Sequence, residues 1–155
     1  MLLQFQPETR NPKLEIRMKP KEALTVRAHH LGCLAHFAAF GGTHATLPIL
    51  LAAVREDPER RVRVVAGPDD ICVPCPFWDG VRCNREPGME EKNRAKDRAF
   101  LDALGLKDGE TKTARELSKL VRDRLTLDVL TRFCPDCLPG PCADAVARGA
   151  WEGRA

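Results

Sequence analysis

The chain has 155 residues, 43% hydrophobic and 30% charged, with 25 basic against 22 acidic side chains and a net charge of +3. That length suits a single domain able to bury its own core, and the near-balance of charge gives no ground for nucleic-acid binding. No run approaches the roughly 18–20 apolar residues a bilayer span needs, and the N-terminus lacks a basic start before an apolar core, so neither a membrane nor a signal peptide is expected.

Residues 1–22 carry prolines and basic residues but no sustained helical period. They read as an N-terminal extension, with disorder expected and Leu14–Met18 the one strand-like stretch. Residues 23–155 then form a cysteine-rich, metal-binding domain. Its first helix is expected over 28–39, small or apolar on nearly every face and ended by Gly41-Gly42. A second helix follows Thr46 as N-cap, with Pro48 in its first turn, and runs to Arg55.

Arg61–Ala66 alternates and then turns apolar, which predicts a short strand, and Gly67-Pro68-Asp69-Asp70 predicts a turn. The charges from Arg55 to Arg63 read as a solvated helix end and strand face. Residues 89–104 form a helix with Ala95, Ala99 and Ala103 on one face beside Phe100 and Leu104, closed by Gly105. Thr113-Ala-Arg-Glu116 is a capping box, and Leu117, Leu120, Val121 and Leu125 are the apolar stripe of the helix it starts. Leu127–Phe133 continues as a short helical segment, and Ala143 onward adds at most a turn or two. The expected fold is a small, mainly helical α+β domain with two cysteine knuckles and one or two short strands.

Six of the seven cysteines form two triads. Cys72-Val-Pro-Cys75 is followed by Cys83 after seven residues, and Cys134-Pro-Asp-Cys137 by Cys142 after four. A Cys-x-x-Cys pair lets two thiolates reach one metal, and the adjacent prolines favour turns over mid-helix positions. In the cytoplasm, the expected compartment, thiols stay reduced, which favours metal ligation over disulfides.

Soft thiolates suit zinc and iron–sulfur clusters alike, and each usually takes four ligands. Six cysteines therefore leave three arrangements open. Both triads share one site, each borrows a fourth ligand, or only one binds metal. Fifty mostly helical residues separate Cys83 from Cys134 and permit the triads to meet. The helix at 28–39 offers His29, His30, Cys33 and His36 as further ligands, with His29 and Cys33 on one face. The plainer reading is a buried helix whose imidazoles bond to backbone. Asp69 and Asp70 serve the turn, or orient a ligand. Phe77 and Trp78 shield a metal or simply pack.

The assembled pattern resembles the family of domain of unknown function 1284, whose members are often labelled iron–sulfur binding proteins. The resemblance rests on Val26-Arg-Ala-His-His-Leu-Gly-Cys33, on Val65-Ala-Gly-Pro-Asp-Asp-Ile-Cys-Val-Pro-Cys-Pro76 with Cys83, and on Phe133-Cys-Pro-Asp-Cys137 with Cys142. It covers about residues 25–143 and departs from the family at Gly41-Gly42-Thr43-His44. It implies an iron–sulfur cluster and favours roles for His29, His30 and Cys33.

Three functions are consistent with these residues. The first is a [4Fe–4S] protein for electron transfer or sensing, with ligands among Cys72, Cys75, Cys83, Cys134, Cys137 and Cys142 and a redox protein as partner. The second is a structural zinc module that mediates protein interaction. The third is a metal-dependent enzyme with an open coordination position and His29 or His30 as acid–base or ligand.

Overall fold

The computed structural model describes residues 23–32, 56–73, 75–126, 128, 129 and 132. The extension at 1–22, most of the first two expected helices, Cys33, His36 and the second cysteine triad lie outside the described residues.

Three strands form one sheet in the order β1 (Leu24–Arg27), β2 (Arg61–Val65), β3 (Glu110–Thr113). β1 and β2 run parallel, pairing Leu24 with Val62 through Arg27 with Val65. β2 and β3 are antiparallel, with Arg61 opposite Thr113 and Val64 opposite Glu110. β2 lies where the alternation placed it: Val62 and Val64 are buried, while Arg61 and Arg63 face solvent. The strands on either side of it were not expected from the sequence. β1 is only four residues long and runs straight into a helical turn over 28–32. β3 has the sequence Glu-Thr-Lys-Thr, with no apolar residue to announce it. Its pairing comes instead from a turn in which the Gly109 N–H donates to the Val64 carbonyl at 2.7 Å.

Helix α1 (Met89–Leu104) occupies the span its periodicity predicts. Gly88 and Gly105 bound it, both left-handed with φ of 73° and 69°. At the C-terminus the Leu106 N–H reaches back to the Leu101 carbonyl at 2.9 Å, a Schellman-type closure that glycine permits. Of the face expected, Phe100 and Leu104 are buried and Ala99 and Ala103 partly so, while Ala95 is exposed; Asp97 and Leu101 complete the buried face. Asp97, Phe100, Leu101 and Leu104 stand at i, i+3, i+4 and i+7, so large apolar groups set the face and carry Asp97 inward with them.

Helix α2 (Ala114–Arg124) begins at the expected capping box. The Glu116 N–H donates to Thr113 Oγ1 at 3.2 Å, and the Thr113 N–H to Glu116 Oε2 at 2.8 Å. Replacing Thr113 with alanine is expected to cost about 1 kcal/mol, because both orphan donors lose their geometry together. A urea midpoint unchanged in Thr113→Ala would contradict that.

The core joins Leu24, Val26, Val62 and Val64 of the sheet to Phe100, Leu101 and Leu104 of α1 and Leu117, Val121 and Leu125 at α2. The architecture is the α+β class expected from the sequence. Among the described residues, no helix is long and apolar enough to cross a membrane.

Candidate metal centre

Parallel pairing of β1 and β2 sets their C-terminal ends side by side, Arg27 against Val65. Chain leaving β1 therefore meets chain leaving β2. In open sheets, this is where ligand sites tend to form. Here it brings Arg27, His29 and His30 to Asp69, Asp70 and Cys72, about 40 residues on in the chain.

Asp69 and Asp70 fasten that junction. Asp70 accepts from the Thr25 N–H at 2.9 Å and donates its own N–H to the Thr25 carbonyl at 3.1 Å. The buried Asp69 carboxylate accepts from the backbone N–H groups of Arg27 (2.7 Å), Ile71 (3.0 Å) and Cys72 (3.1 Å), and meets His30 Nδ1 at 2.8 Å. Burial opposes ionisation of Asp69, but the His30 charge and hydrogen bond and the backbone donors outweigh it and pull its pKa down to about 2. The turn role expected for Asp69 and its hold on the His30 ring come from the same carboxylate.

The first knuckle is a chain of turns closed by a hairpin. The Cys75 N–H donates to the Cys72 carbonyl at 2.9 Å, and the Trp78 N–H to the Cys75 carbonyl at 3.0 Å. At Asp79-Gly80-Val81-Arg82 the Asp79 carboxylate accepts from the Val81 and Arg82 N–H groups at 2.8 and 2.7 Å, and Gly80 takes φ 98°. The returning chain pairs Cys83 with Trp78 in an isolated antiparallel bridge. That hairpin spans the seven residues between the pair and its third cysteine.

Arg27 stands at the centre, 1% exposed. Its Nε and Nη2 donate to Asp97 Oδ2 at 3.0 and 2.8 Å, Nη2 also meets Glu90 Oε1 at 3.3 Å, and Nη1 lies 3.8 Å from Cys72 Sγ. Burial works against the cation, yet Asp97, Cys72 and Glu90 more than offset it and raise its pKa. The second Glu90 oxygen accepts from the Cys83 N–H at 3.2 Å. Glu90 and Arg27 thus link the first and last cysteines of the triad.

Asp97 Oδ1 accepts from both the backbone N–H and Nδ1 of His29, at 3.2 and 2.7 Å. An ionised carboxylate only accepts, so Nδ1 carries the hydrogen and Nε2 is the basic nitrogen of a neutral ring. Burial above all pushes the His29 pKa down to about 4, aided by the His30 and Arg27 charges and opposed by Asp97. Between pH 6.5 and about 4 the unfolded chain therefore takes up a proton that the folded one refuses. Stability falls as the pH drops through that window, by roughly 2 kcal/mol at pH 5. In His29→Gln, metal-free and unfolded in urea at pH 7 and pH 5, that part of the loss is expected to vanish. An undiminished loss would rule His29 out as its source.

The His29 and His30 rings lie 4.6 Å apart, edge to face. Both line a pocket of about 200 Å³ together with Arg27, Cys72, Cys75 and Cys83. Phe77, Trp78 and Met89 supply its apolar wall, with Arg85 and Asn93 at its side. All three cysteines are free thiols. Burial first, then the Asp69 charge, pushes the Cys72 thiol up to about 12, so metal binding there must displace a proton.

The three cysteines and two histidines expected as ligands within the described residues therefore share one pocket. They line it without converging: among the described residues, no group of three His, Cys, Asp or Glu side chains is placed to hold a metal ion. The donor set fits a thiophilic metal in kind, with soft sulfur and imidazoles backed by carboxylates. Arg27, Glu90 and Asp97 were missed from sequence. Asp97 and Glu90 stand seven apart on a helix whose period places them on the buried face, and that signal was available.

The fold and site define a small α+β protein in which a cysteine knuckle and two Asp–His pairs enclose a buried arginine. The chain belongs to the family described as Protein of unknown function (DUF1284), whose model matches residues 45–138. The match takes in the first triad with Cys134 and Cys137, and leaves Val26–Cys33 and Cys142 outside. No curated protein and no solved structure matches the chain.

Proposed function

We propose that this protein binds a [4Fe–4S] cluster through cysteines drawn from Cys72, Cys75, Cys83, Cys134, Cys137 and Cys142, and serves electron transfer or sensing with a redox protein as partner. One observation carries the reading. Three free thiols line a single pocket whose buried edge is a guanidinium in contact with one of them. A cation so placed offsets part of the burial and the Asp69 charge that oppose the thiolate there. Bound, the cluster would supply one-electron chemistry at this pocket. The protein's own residues hold the knuckle open toward it and screen it with Phe77, Trp78 and Met89.

The two imidazoles in the same pocket favour zinc as the second reading, since zinc takes nitrogen and sulfur together. Protein purified without oxygen and assayed for iron, sulfide, zinc and visible absorption decides between them. Iron and sulfide with a visible chromophore support the cluster. A colourless protein with stoichiometric zinc replaces it with the second reading.

A further inference from the structure

We infer that Arg27 is a positioning residue for the metal–thiolate site: its guanidinium donates to the Cys72 sulfur and sets the electrostatic environment of whatever that sulfur ligates. The inference rests on the function proposed above, and it concerns a residue that lies outside the family match.

A guanidinium forced against sulfur by accident would be expected to turn toward its carboxylates alone. This one is held in place from three sides. Asp97 Oδ2 takes Nε and Nη2, Glu90 takes Nη2, and the Arg27 backbone N–H is fixed by Asp69. The remaining arm, Nη1, is thereby aimed at Cys72 Sγ at 3.8 Å. Both carboxylates are themselves buried and committed elsewhere, Asp97 to His29 and Glu90 to the Cys83 N–H and Arg94. The guanidinium therefore has one well-defined orientation. A lysine has no rigid fork to span the same partners.

Hydrogen bonds and positive charge at a ligand sulfur stabilise the more negative, reduced state of an iron–sulfur centre. Loss of the Arg27 donor should therefore lower the reduction potential. Glu90 provides a test of opposite sign. Glu90→Gln removes a negative charge from beside Arg27 and keeps an oxygen for the Cys83 N–H, so it should raise the potential. A purely structural role would impair both variants in the same way.

The experiment is an anaerobic dithionite titration of the wild type, Arg27→Lys and Glu90→Gln, each first assayed for iron and sulfide. The expected result is a shift of about tenfold in the oxidised-to-reduced ratio in each variant, equal to about 59 mV, negative for Arg27→Lys and positive for Glu90→Gln. Unchanged potentials, or shifts of one sign in both, overturn the role of Arg27 while leaving the cluster reading intact. A wild type without iron overturns both. If Arg27→Lys does not fold, Arg27→Gln, which keeps amide donors but no charge, decides in its place: a negative shift supports the inference, and no shift or a positive one refutes it.

Discussion

Replacing Asp97 with alanine is expected to destabilise the protein by about 3–5 kcal/mol, the usual cost of stripping one partner from a buried ion pair. The side chain is fully buried and, among the described residues, accepts four hydrogen bonds: two from Arg27, one from the His29 backbone and one from the His29 ring. Its loss leaves a buried guanidinium whose one remaining carboxylate partner among the described residues is Glu90, at the longer distance of 3.3 Å. Such a charge cannot shed its proton, so the chain must admit water or unfold. Against a domain stability of about 5–15 kcal/mol, that is a large fraction. The combined variant Arg27→Met with Asp97→Leu should recover most of the loss, because neither partner is then left charged and alone. Denaturant midpoints for the single and combined variants measure both effects. A loss below about 1 kcal/mol for Asp97→Ala would mean that the pair is not buried as described.

The second large effect concerns metal. If the protein binds metal as proposed, Cys72→Ser is expected to weaken that binding by more than about 100-fold, beyond what removal of an orienting group usually costs. Cys72 is the thiol on which the network converges, with Arg27 at its sulfur and Asp69 at its backbone N–H. Serine keeps the volume and the turn but offers a hard oxygen in place of a soft sulfur. Metal retained per chain after gel filtration against a chelator is the direct readout. Stoichiometric metal in Cys72→Ser would exclude Cys72 as a ligand and remove the basis for the Arg27 inference as well. Far-ultraviolet circular dichroism on the same samples separates loss of ligation from loss of fold.

Much of the local structure was legible in the residues. The capping box at Thr113, the glycine at position 105 and the alternation of Arg61–Val65 each act within a few residues, and each lies where its chemistry requires. The first knuckle was legible for the same reason, and its Asp79-Gly80 turn carries a hairpin signal of the same local kind. β3 was not legible. Glu110-Thr-Lys-Thr113 has no apolar pattern of its own and becomes a strand by pairing with β2. The face of α1 was legible in Phe100 and Leu104 but not in Ala95 or Asp97, because alanines contribute little burial energy. Phe100 and Leu104 turned the helix so that Asp97 came inside and Ala95 stayed out.

The candidate site divides along the same line. From sequence alone came the thiols of the first triad, their turn geometry, and His29 and His30 as companions, since ligand type and short spacing are properties of adjacent residues. Only the tertiary structure decided that these groups share a pocket with Arg27, Asp97 and Glu90. Parallel pairing of β1 with β2 brings together residues some 40 positions apart, and α1 adds carboxylates from up to 70 positions away. The burial that makes those charges matter follows from that packing: an arginine after Val26 is ordinary in a sequence, and becomes a fixed donor to Cys72 only when two carboxylates enclose it away from water.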